Sequence, residues 1–232
     1  MKKTIIIIPL LAAFLTVGLL VGCGGPPRTQ TYSFTDFTRV EVGYAFQVEV
    51  TQSDSYSIRI TAPENLLSSI DVSKEGETLK IGLTQFISMI GTRKVEITMP
   101  DLRAINLSGA TKGTINGFIS SHDFNLVLSG ASRLDGDLTV GDIDFDISGA
   151  STVELDGSAQ DITVDVSGAS HVKLANFSAR NAAATLSGAS NGTVNLSGEL
   201  DANLSGASRL SYIGNPTMGA VIITGASTLS IK

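Results

Sequence analysis

Residues 162–174 read Ile-Thr-Val-Asp-Val-Ser-Gly-Ala-Ser-His-Val-Lys-Leu, and this stretch decides the fold. Apolar residues alternate with polar ones on both sides of the tetrapeptide Ser-Gly-Ala-Ser, which occupies residues 167–170. A period of two is typical of a half-buried β-strand, with one row of side chains facing a core and the other facing solvent. The stretch therefore predicts two short strands joined through the tetrapeptide.

The tetrapeptide, or a close variant of it, occurs seven times, and successive copies begin 18 to 21 residues apart. The copies begin at Ser108, Ser129, Ser148, Ser167, Ser187, Ser205 and Thr224. A repeat of this length is too short for a pair of helices and matches one turn of a β-solenoid. We therefore predict an all-β protein, a parallel β-helix (β-solenoid) with about 19–20 residues per coil, right-handed as parallel crossovers generally are.

The tetrapeptide itself allows two interpretations. It is a corner, where glycine supplies a backbone conformation that other residues disfavour, or the strand runs straight through it and glycine lets the opposite wall approach. We favour the corner. In either case the alternation places the glycine and the final serine on the inward-facing side of the strand. Stacking of the coils would then align the serines so that their hydroxyl groups bond to one another.

The N-terminal part of the chain is also strand-like, although it lacks the tetrapeptide. Val48 and Val50, for example, alternate with polar neighbours, and Glu75-Gly76-Glu77 has the composition of a turn. No change in composition marks a boundary near residue 100. We predict a single β-solenoid domain over residues 31–232, irregular over 31–104 and regular over 105–232.

The first residues have the features of an export signal. Lys2 and Lys3 precede an apolar run that ends in Leu-Val-Gly-Cys at residues 20–23, which resembles the lipobox of prokaryotic lipoproteins. This resemblance implies a lipoprotein signal peptide at residues 1–22, cleavage before Cys23 and lipidation of Cys23. The alternative is an uncleaved membrane anchor. Residues 23–30 hold two glycines and two prolines and predict a flexible stalk.

Two features together resemble one bacterial family, the auto-transporter adhesin head GIN domain. One is the stretch Val-Glu-Ile-Thr-Met-Pro-Asp-Leu at residues 95–102 with Ile-Asn-Leu-Ser-Gly-Ala at 105–110, and the other is the series of Ser-Gly-Ala-Ser copies. The resemblance implies an exported protein, often a lipoprotein, with a β-helical fold. It carries over no catalytic residue.

Composition excludes several classes of protein. The formal net charge is −6, so the chain lacks the basic surface that nucleic-acid binding requires. Its only histidines are His122 and His171, and its only cysteine is Cys23, which is too few for a zinc site. Ser170 and His171 are neighbours on a predicted strand and should face opposite sides. No Gly-x-Ser-x-Gly motif is present, and we predict that the protein is not an enzyme.

Acidic residues cluster in the third and fourth repeats. Asp146 and Asp165 occupy equivalent positions and should stack with outward side chains, and Asp144 lies nearby. Several oxygen ligands suit calcium, a pair of carboxylates suits a glycosidase, and an exposed acidic face needs neither. We treat Asp144, Asp146 and Asp165 as calcium candidates, and favour the solvated acidic face.

The position after each tetrapeptide is polar and outward-facing. Across five repeats it holds Arg133, Thr152, His171, Asn191 and Arg209. Such a row is a candidate binding face for a glycan or a protein, although any exposed sheet has similar composition.

These observations predict a membrane-anchored, exported lipoprotein of the cell envelope, at the outer membrane or the cell surface. Its β-solenoid would be a non-catalytic, adhesin-like binding module tethered to the membrane by its lipid. The alternative is a structural module that self-associates through its solenoid ends, since exposed strand edges invite pairing. A carbohydrate-active enzyme is the third interpretation.

Overall fold

The structure, a computed structural model, describes residues 25–84 and 91–232. The predicted signal peptide and Cys23 lie outside the described residues. Two sheets, one of eleven strands and one of ten, pack face to face over most of the described chain. The buried apolar side chains of both sheets form one continuous core between them.

Seven regular coils form the C-terminal part, and each coil contributes one strand to each sheet. The strands of the ten-stranded sheet are β8 (Ala104–Leu107), β10 (Phe124–Leu128), β12 (Ile143–Ile147), β14 (Asp161–Val166), β16 (Asn181–Leu186), β18 (Glu199–Leu204) and β20 (Thr217–Ile223). Those of the eleven-stranded sheet are β9 (Lys112–Ile119), β11 (Arg133–Thr139), β13 (Thr152–Ser158), β15 (His171–Ala179), β17 (Asn191–Leu196), β19 (Arg209–Ile213) and β21 (Thr228–Ile231).

Neighbouring coils are parallel, and equivalent residues of the repeat pair directly next to the corners, although bulges shift the register further along several strands. Phe145 of β12 pairs with Val164 of β14, nineteen residues later. Inward residues fill the core, where Phe145 and Phe177 make an edge-to-face contact with ring centroids 6.5 Å apart. The structure therefore confirms the predicted parallel β-solenoid.

Each tetrapeptide is a corner between the two sheets, as favoured from the sequence. The glycines have φ between 62° and 78°, a region that disfavours side chains. The prediction that they point inward is wrong, because Gly168 is exposed. The corner of the preceding coil lies close to each of these glycines. A Cβ built on Gly168, for example, would lie 2.3 Å from the carbonyl oxygen of Gly149. Glycine is thus required both by its conformation and by close stacking.

The last residue of each of the first six tetrapeptides is buried and that of the seventh, Ser227, is partly buried, but the hydroxyl mostly bonds to backbone. The Ser132 hydroxyl donates to the carbonyl of Ser129 at 2.8 Å, and the Ser132 amide donates to Oγ of Ser151 at 3.3 Å. A hydroxyl-to-hydroxyl bond joins Ser208 and Ser227, at 3.2 Å. The predicted ladder therefore exists as a stack of serines, most of whose hydroxyl groups bond to the backbone of their own turn or of the preceding coil.

The N-terminal part extends the stack out of chain order. Its elements are β1 (Pro27–Tyr32), β2 (Arg39–Val42), β3 (Gln47–Gln52), β4 (Ser57–Pro63), α1 (Glu64–Leu67), β5 (Ile70–Glu75), β6 (Thr78–Leu83) and β7 (Lys94–Met99). The coil of β2 and β3 lies between that of β8 and β9 and that of β6 and β7. Antiparallel strands β1 and β4 continue one sheet, and antiparallel β5 ends the other.

The flexible stalk predicted over residues 23–30 is wrong from Pro27 onward. Pro27 begins β1, which pairs with β4 along its whole length. Side chains reinforce this pairing, since Thr29 and Thr61 share a hydrogen bond of 2.7 Å and Arg28 lies 3.1 Å from Glu64. Pairing satisfies the backbone groups of this edge strand that face β4, which a mobile stalk would leave to water.

Candidate functional site

The five residues predicted as a binding face form one straight row. In the eleven-stranded sheet, Arg133 pairs with Thr152, Thr152 with His171, His171 with Asn191, and Asn191 with Arg209. Each of the five is the first residue of its strand, directly after a corner, so the corner fixes its position. Neighbouring members are therefore about 4.8 Å apart along the backbone.

A second row, two residues further along each strand, carries charges that pair with the first. Arg133 donates to Asp135 at 2.7 Å and lies 3.2 Å from Glu154, which also accepts from Lys173 at 3.1 Å. The hydrogen bond from Lys173 lowers the pKa of Glu154, and Arg133 lowers it further. The hydrogen bond that Arg133 donates to Asp135 raises the pKa of Arg133.

These charged side chains are about 40 to 50% exposed, so the ion pairs contribute little to stability. Their effect is to hold the side chains in a fixed pattern on a flat surface. A second network continues it toward the N-terminal end, where Lys94 contacts Glu96 at 2.8 Å and Glu49 at 3.2 Å. The hydrogen bond from Lys94 is also the main cause of the lowered pKa of Glu96.

A shallow depression of about 410 Å³ lies between these two networks. Its rim includes Glu49, Lys94, Lys112 and Arg133, which places both charge signs around one concavity. We call the row of Arg133, Thr152, His171, Asn191 and Arg209, with this depression, the charged face. It can make charge-assisted hydrogen bonds to a ligand that lies along several coils.

The calcium candidates lie on the other sheet. Asp146 and Asp165 are register partners with exposed side chains, as predicted, whereas Asp144 pairs with Thr163. Within residues 25–84 and 91–232, no group of three or more His, Cys, Asp or Glu side chains is arranged to hold a metal ion. The carboxylates of Asp146 and Asp165 are therefore stacked, and Asp144 does not complete a metal site with them.

Other acidic residues of these repeats have a structural role that the sequence did not predict. Asp123 accepts from the amide of Asp142 at 3.0 Å, and Asp142 accepts from the amide of Asp161 at 3.1 Å. Arg180 then binds Asp161 through two hydrogen bonds, and this contact lowers the pKa of Asp161. The three carboxylates thus align successive coils where the strands of the ten-stranded sheet begin.

The structure also assembles a polar cluster that spacing did not reveal. His122 Nδ1 lies 3.1 Å from Asp101 and 3.0 Å from the Ser120 hydroxyl, while its Nε2 lies 3.2 Å from Arg103. Arg103 can only donate, so Nε2 is the acceptor. A catalytic triad needs serine and carboxylate on opposite ring nitrogens, and here both contact Nδ1.

His171 forms no dyad with its neighbour either. The hydroxyl-bearing side chain of Ser170 is fully buried, whereas His171 is exposed on the charged face, 3.4 Å from Asn191. The two residues face opposite sides of the strand, as the alternation predicted.

Within the described part of the chain, no helix is long and apolar enough to span a membrane.

Comparison with known proteins places this architecture in a family. The family model described as "Putative auto-transporter adhesin, head GIN domain" matches residues 36–216. No match was found among curated proteins.

Solved structures show the same fold at low sequence identity. A putative adhesin from Bacteroides fragilis is 23% identical with a TM-score of 0.83, over 89% of this chain and 97% of that one. A putative lipid binding protein from Parabacteroides distasonis is 18% identical with a TM-score of 0.73, over 90% and 98%. A putative adhesin from Parabacteroides merdae is 15% identical with a TM-score of 0.70, over 91% and 98%. The family match covers well over half of the chain, which therefore belongs to the putative auto-transporter adhesin, head GIN domain, family.

Proposed function

We propose that this protein is an exported, membrane-anchored lipoprotein whose β-solenoid is a non-catalytic, adhesin-like binding module. The observation that carries the proposal is the charged face, where five outward side chains are held in register on consecutive strands. The family and two of the three structures named above are described as putative adhesins, which agrees with a binding role at the cell envelope. The ligand would be a glycan or a protein that contacts several coils.

Binding to a panel of glycans and matrix proteins tests this proposal. The detergent-solubilised full-length protein is compared with a double variant, Arg133→Gln and Arg209→Gln, which removes both arginines of the row. We expect binding to fall at least tenfold. Arg180→Gln is the matched control, because Arg180 binds Asp161 away from the charged face. Equal loss in the control, or no binding by the parent protein, would count against the charged face.

Calcium dependence is measured in the same assay. Asp146→Asn with Asp165→Asn removes the stacked carboxylates of the ten-stranded sheet. Binding that requires calcium and is lost in this variant would assign the acidic pair a ligand role. Binding that is unchanged with and without calcium would leave the pair as a solvated acidic face.

The lipid anchor has its own test. We expect the wild-type protein to incorporate labelled fatty acid and to sediment with membranes, and Cys23→Ala to incorporate none. Labelling of Cys23→Ala would refute lipidation at Cys23, and membrane association without labelling would favour the uncleaved anchor.

A second function, self-association, is favoured by one observation at the C-terminal coil. Val221 and Ile223 pair with the buried residues Ala202 and Leu204 of the preceding coil, yet they are 39% and 45% exposed. A further coil, or a second molecule, would cover them as neighbours cover every inner coil. Light scattering over a range of concentrations tests this: a rising mass that Val221→Lys abolishes supports assembly, and a constant monomer mass refutes it.

A further inference from the structure

One residue breaks the corner pattern of the solenoid. Tyr44 lies in the turn between β2 and β3 with φ of 63°, within the range of the corner glycines, and its neighbour Ala45 also has a positive φ, of 58°. The amide of Ala45 donates to the carbonyl of Gly109 at 2.9 Å, so this turn stacks on the first regular corner. Gly43-Tyr44-Ala45-Phe46 is therefore an additional corner in which tyrosine takes the position of glycine.

Packing in the core does not explain this tyrosine. Tyr44 is 45% exposed, whereas Phe46, two residues later, is buried. The strained backbone is held by Arg93, whose Nη1 donates to the carbonyl of Tyr44 at 2.6 Å and whose guanidinium lies 5.8 Å from the Phe46 ring centroid. Strained conformations of this kind persist when neighbours enforce them, and they concentrate at functional sites.

The tyrosine ring lies against Gly82, a strand position that has no side chain. A Cβ built on Gly82, in β6, would lie 3.3 Å from Cε2 of Tyr44. Gly82 has no left-handed φ, so its backbone does not require glycine. A glycine inside a strand often marks a place where another group approaches closely, and here that group is the ring.

The ring borders a depression of about 560 Å³ on the ten-stranded sheet. Around it lie the carboxylates of Glu41 and Asp71, the hydroxyl of Ser73 and the ammonium of Lys80. Lys80 is paired with Glu75 at 2.6 Å, whereas neither Glu41 nor Asp71 forms an ion pair with any described residue. The depression thus combines one exposed aromatic ring with hydrogen-bond acceptors and donors.

We propose that Tyr44 and this depression form a carbohydrate-binding subsite. A sugar ring has an apolar C–H face, which can stack on the negative face of an aromatic ring. Its hydroxyl groups both donate and accept, and so match carboxylates alongside serine and lysine. The subsite lies on the opposite sheet from the charged face. An experiment can therefore refute binding at one of these surfaces without refuting binding at the other.

Saturation-transfer NMR with the full-length protein and a panel of neutral and amino mono- and disaccharides tests the subsite. We expect saturation to reach the C–H protons of the bound sugar. Tyr44→Gly restores the residue used at the other corners, and we expect it to weaken saccharide binding at least tenfold while circular dichroism shows an intact sheet. Tyr44→Phe keeps the ring and should bind within about threefold of the parent protein.

Arg180→Gln is the control and should leave this binding unchanged, because Arg180 pairs with Asp161 and lines neither this depression nor the charged face. The proposal is overturned if no saccharide binds or if Tyr44→Gly binds as tightly as the parent protein. Choline and lysine methyl ester are tested in parallel. Binding of these cations without saccharides would also overturn it, in favour of an organic ammonium site.

Discussion

Replacing a corner glycine by alanine measures how much the stacked corners contribute to stability. Gly168 and Gly117 have nearly the same backbone conformation, with φ of 75° and 71°. A Cβ on Gly168 would meet the Gly149 carbonyl oxygen at 2.3 Å, whereas a Cβ on Gly117 has nothing within 4 Å. The two substitutions share the conformational cost, and only Gly168→Ala adds the clash.

The expected magnitudes follow from these distances. The left-handed conformation costs alanine about 1–2 kcal/mol at either site. At Gly168 the methyl group must push two corners apart by about 1 Å to reach ordinary contact, which adds roughly 1–3 kcal/mol of overpacking. This movement also strains the 2.8 Å hydrogen bond from the Ala169 amide to Gly149, whose loss costs about 1 kcal/mol.

We therefore expect Gly117→Ala to lower the free energy of unfolding by about 1–2 kcal/mol and Gly168→Ala by about 3–6 kcal/mol. Urea denaturation followed by circular dichroism gives both values. Equal losses at the two sites would refute the argument that close stacking, rather than φ alone, requires glycine at the corner.

Three further predictions concern the core, the serine stack and the coil-aligning carboxylates. Phe145→Ala should lower the free energy of unfolding by about 3–5 kcal/mol in the same urea assay, because it empties a large buried site; a loss below 1 kcal/mol would contradict it. Ser132→Ala should cost about 0.5–1.5 kcal/mol through its lost hydroxyl bond, and no measurable cost would show that this bond is not stabilising. Arg180 lowers the pKa of Asp161, so this pair should stabilise the fold above the unfolded carboxyl pKa of about 3.9 and lose its effect as the pH falls through the lower folded value. Asp161→Asn should therefore reduce the decline of the free energy of unfolding at acid pH, and an unchanged decline would contradict that assignment.

The regular coils could be predicted because their sequence repeats. Period-two alternation around seven copies of one tetrapeptide fixes which side chains face the core, and an in-register stack then aligns equivalent residues. The row from Arg133 to Arg209 follows directly from that rule. So does the pairing of Asp146 with Asp165.

The N-terminal part could not be predicted in the same way because its order in space differs from its order in sequence. Strand β2 pairs with β6 on one side and β8 on the other, and the chain makes β4 and β5 before it returns to form β6. Alternation identifies a strand but not its partner. Pairing of Pro27–Tyr32 with β4 was missed for the same reason.

The side-chain clusters were missed because they depend on the turns that join the strands. Asp101 and His122 lie twenty-one residues apart, close to one repeat, but on segments outside the strands. Their contact depends on how the turns after β7 and β9 bring the two segments together. The alternation that assigns strand residues to faces does not extend to such turns.

Tyr44 illustrates why departures from a repeat are informative in a solenoid. Its corner, Gly43-Tyr44-Ala45-Phe46, shares only alanine with Ser-Gly-Ala-Ser, so a search for the tetrapeptide does not find it. The structure nevertheless gives Tyr44 a left-handed φ, as it does the seven corner glycines, and Ala45 is also left-handed, as only Ala110 is among the alanines of those corners. Where seven corners use the residue that fits without strain, an eighth that carries an exposed aromatic ring needs a reason beyond folding. Gly82 lies against the ring, and a Cβ there would approach Cε2 of Tyr44 to 3.3 Å, so that the ring would have to shift by a few tenths of an ångström. Repetition in this protein therefore specifies the scaffold and the charged face, whereas the proposed Tyr44 subsite depends on residues outside the repeats.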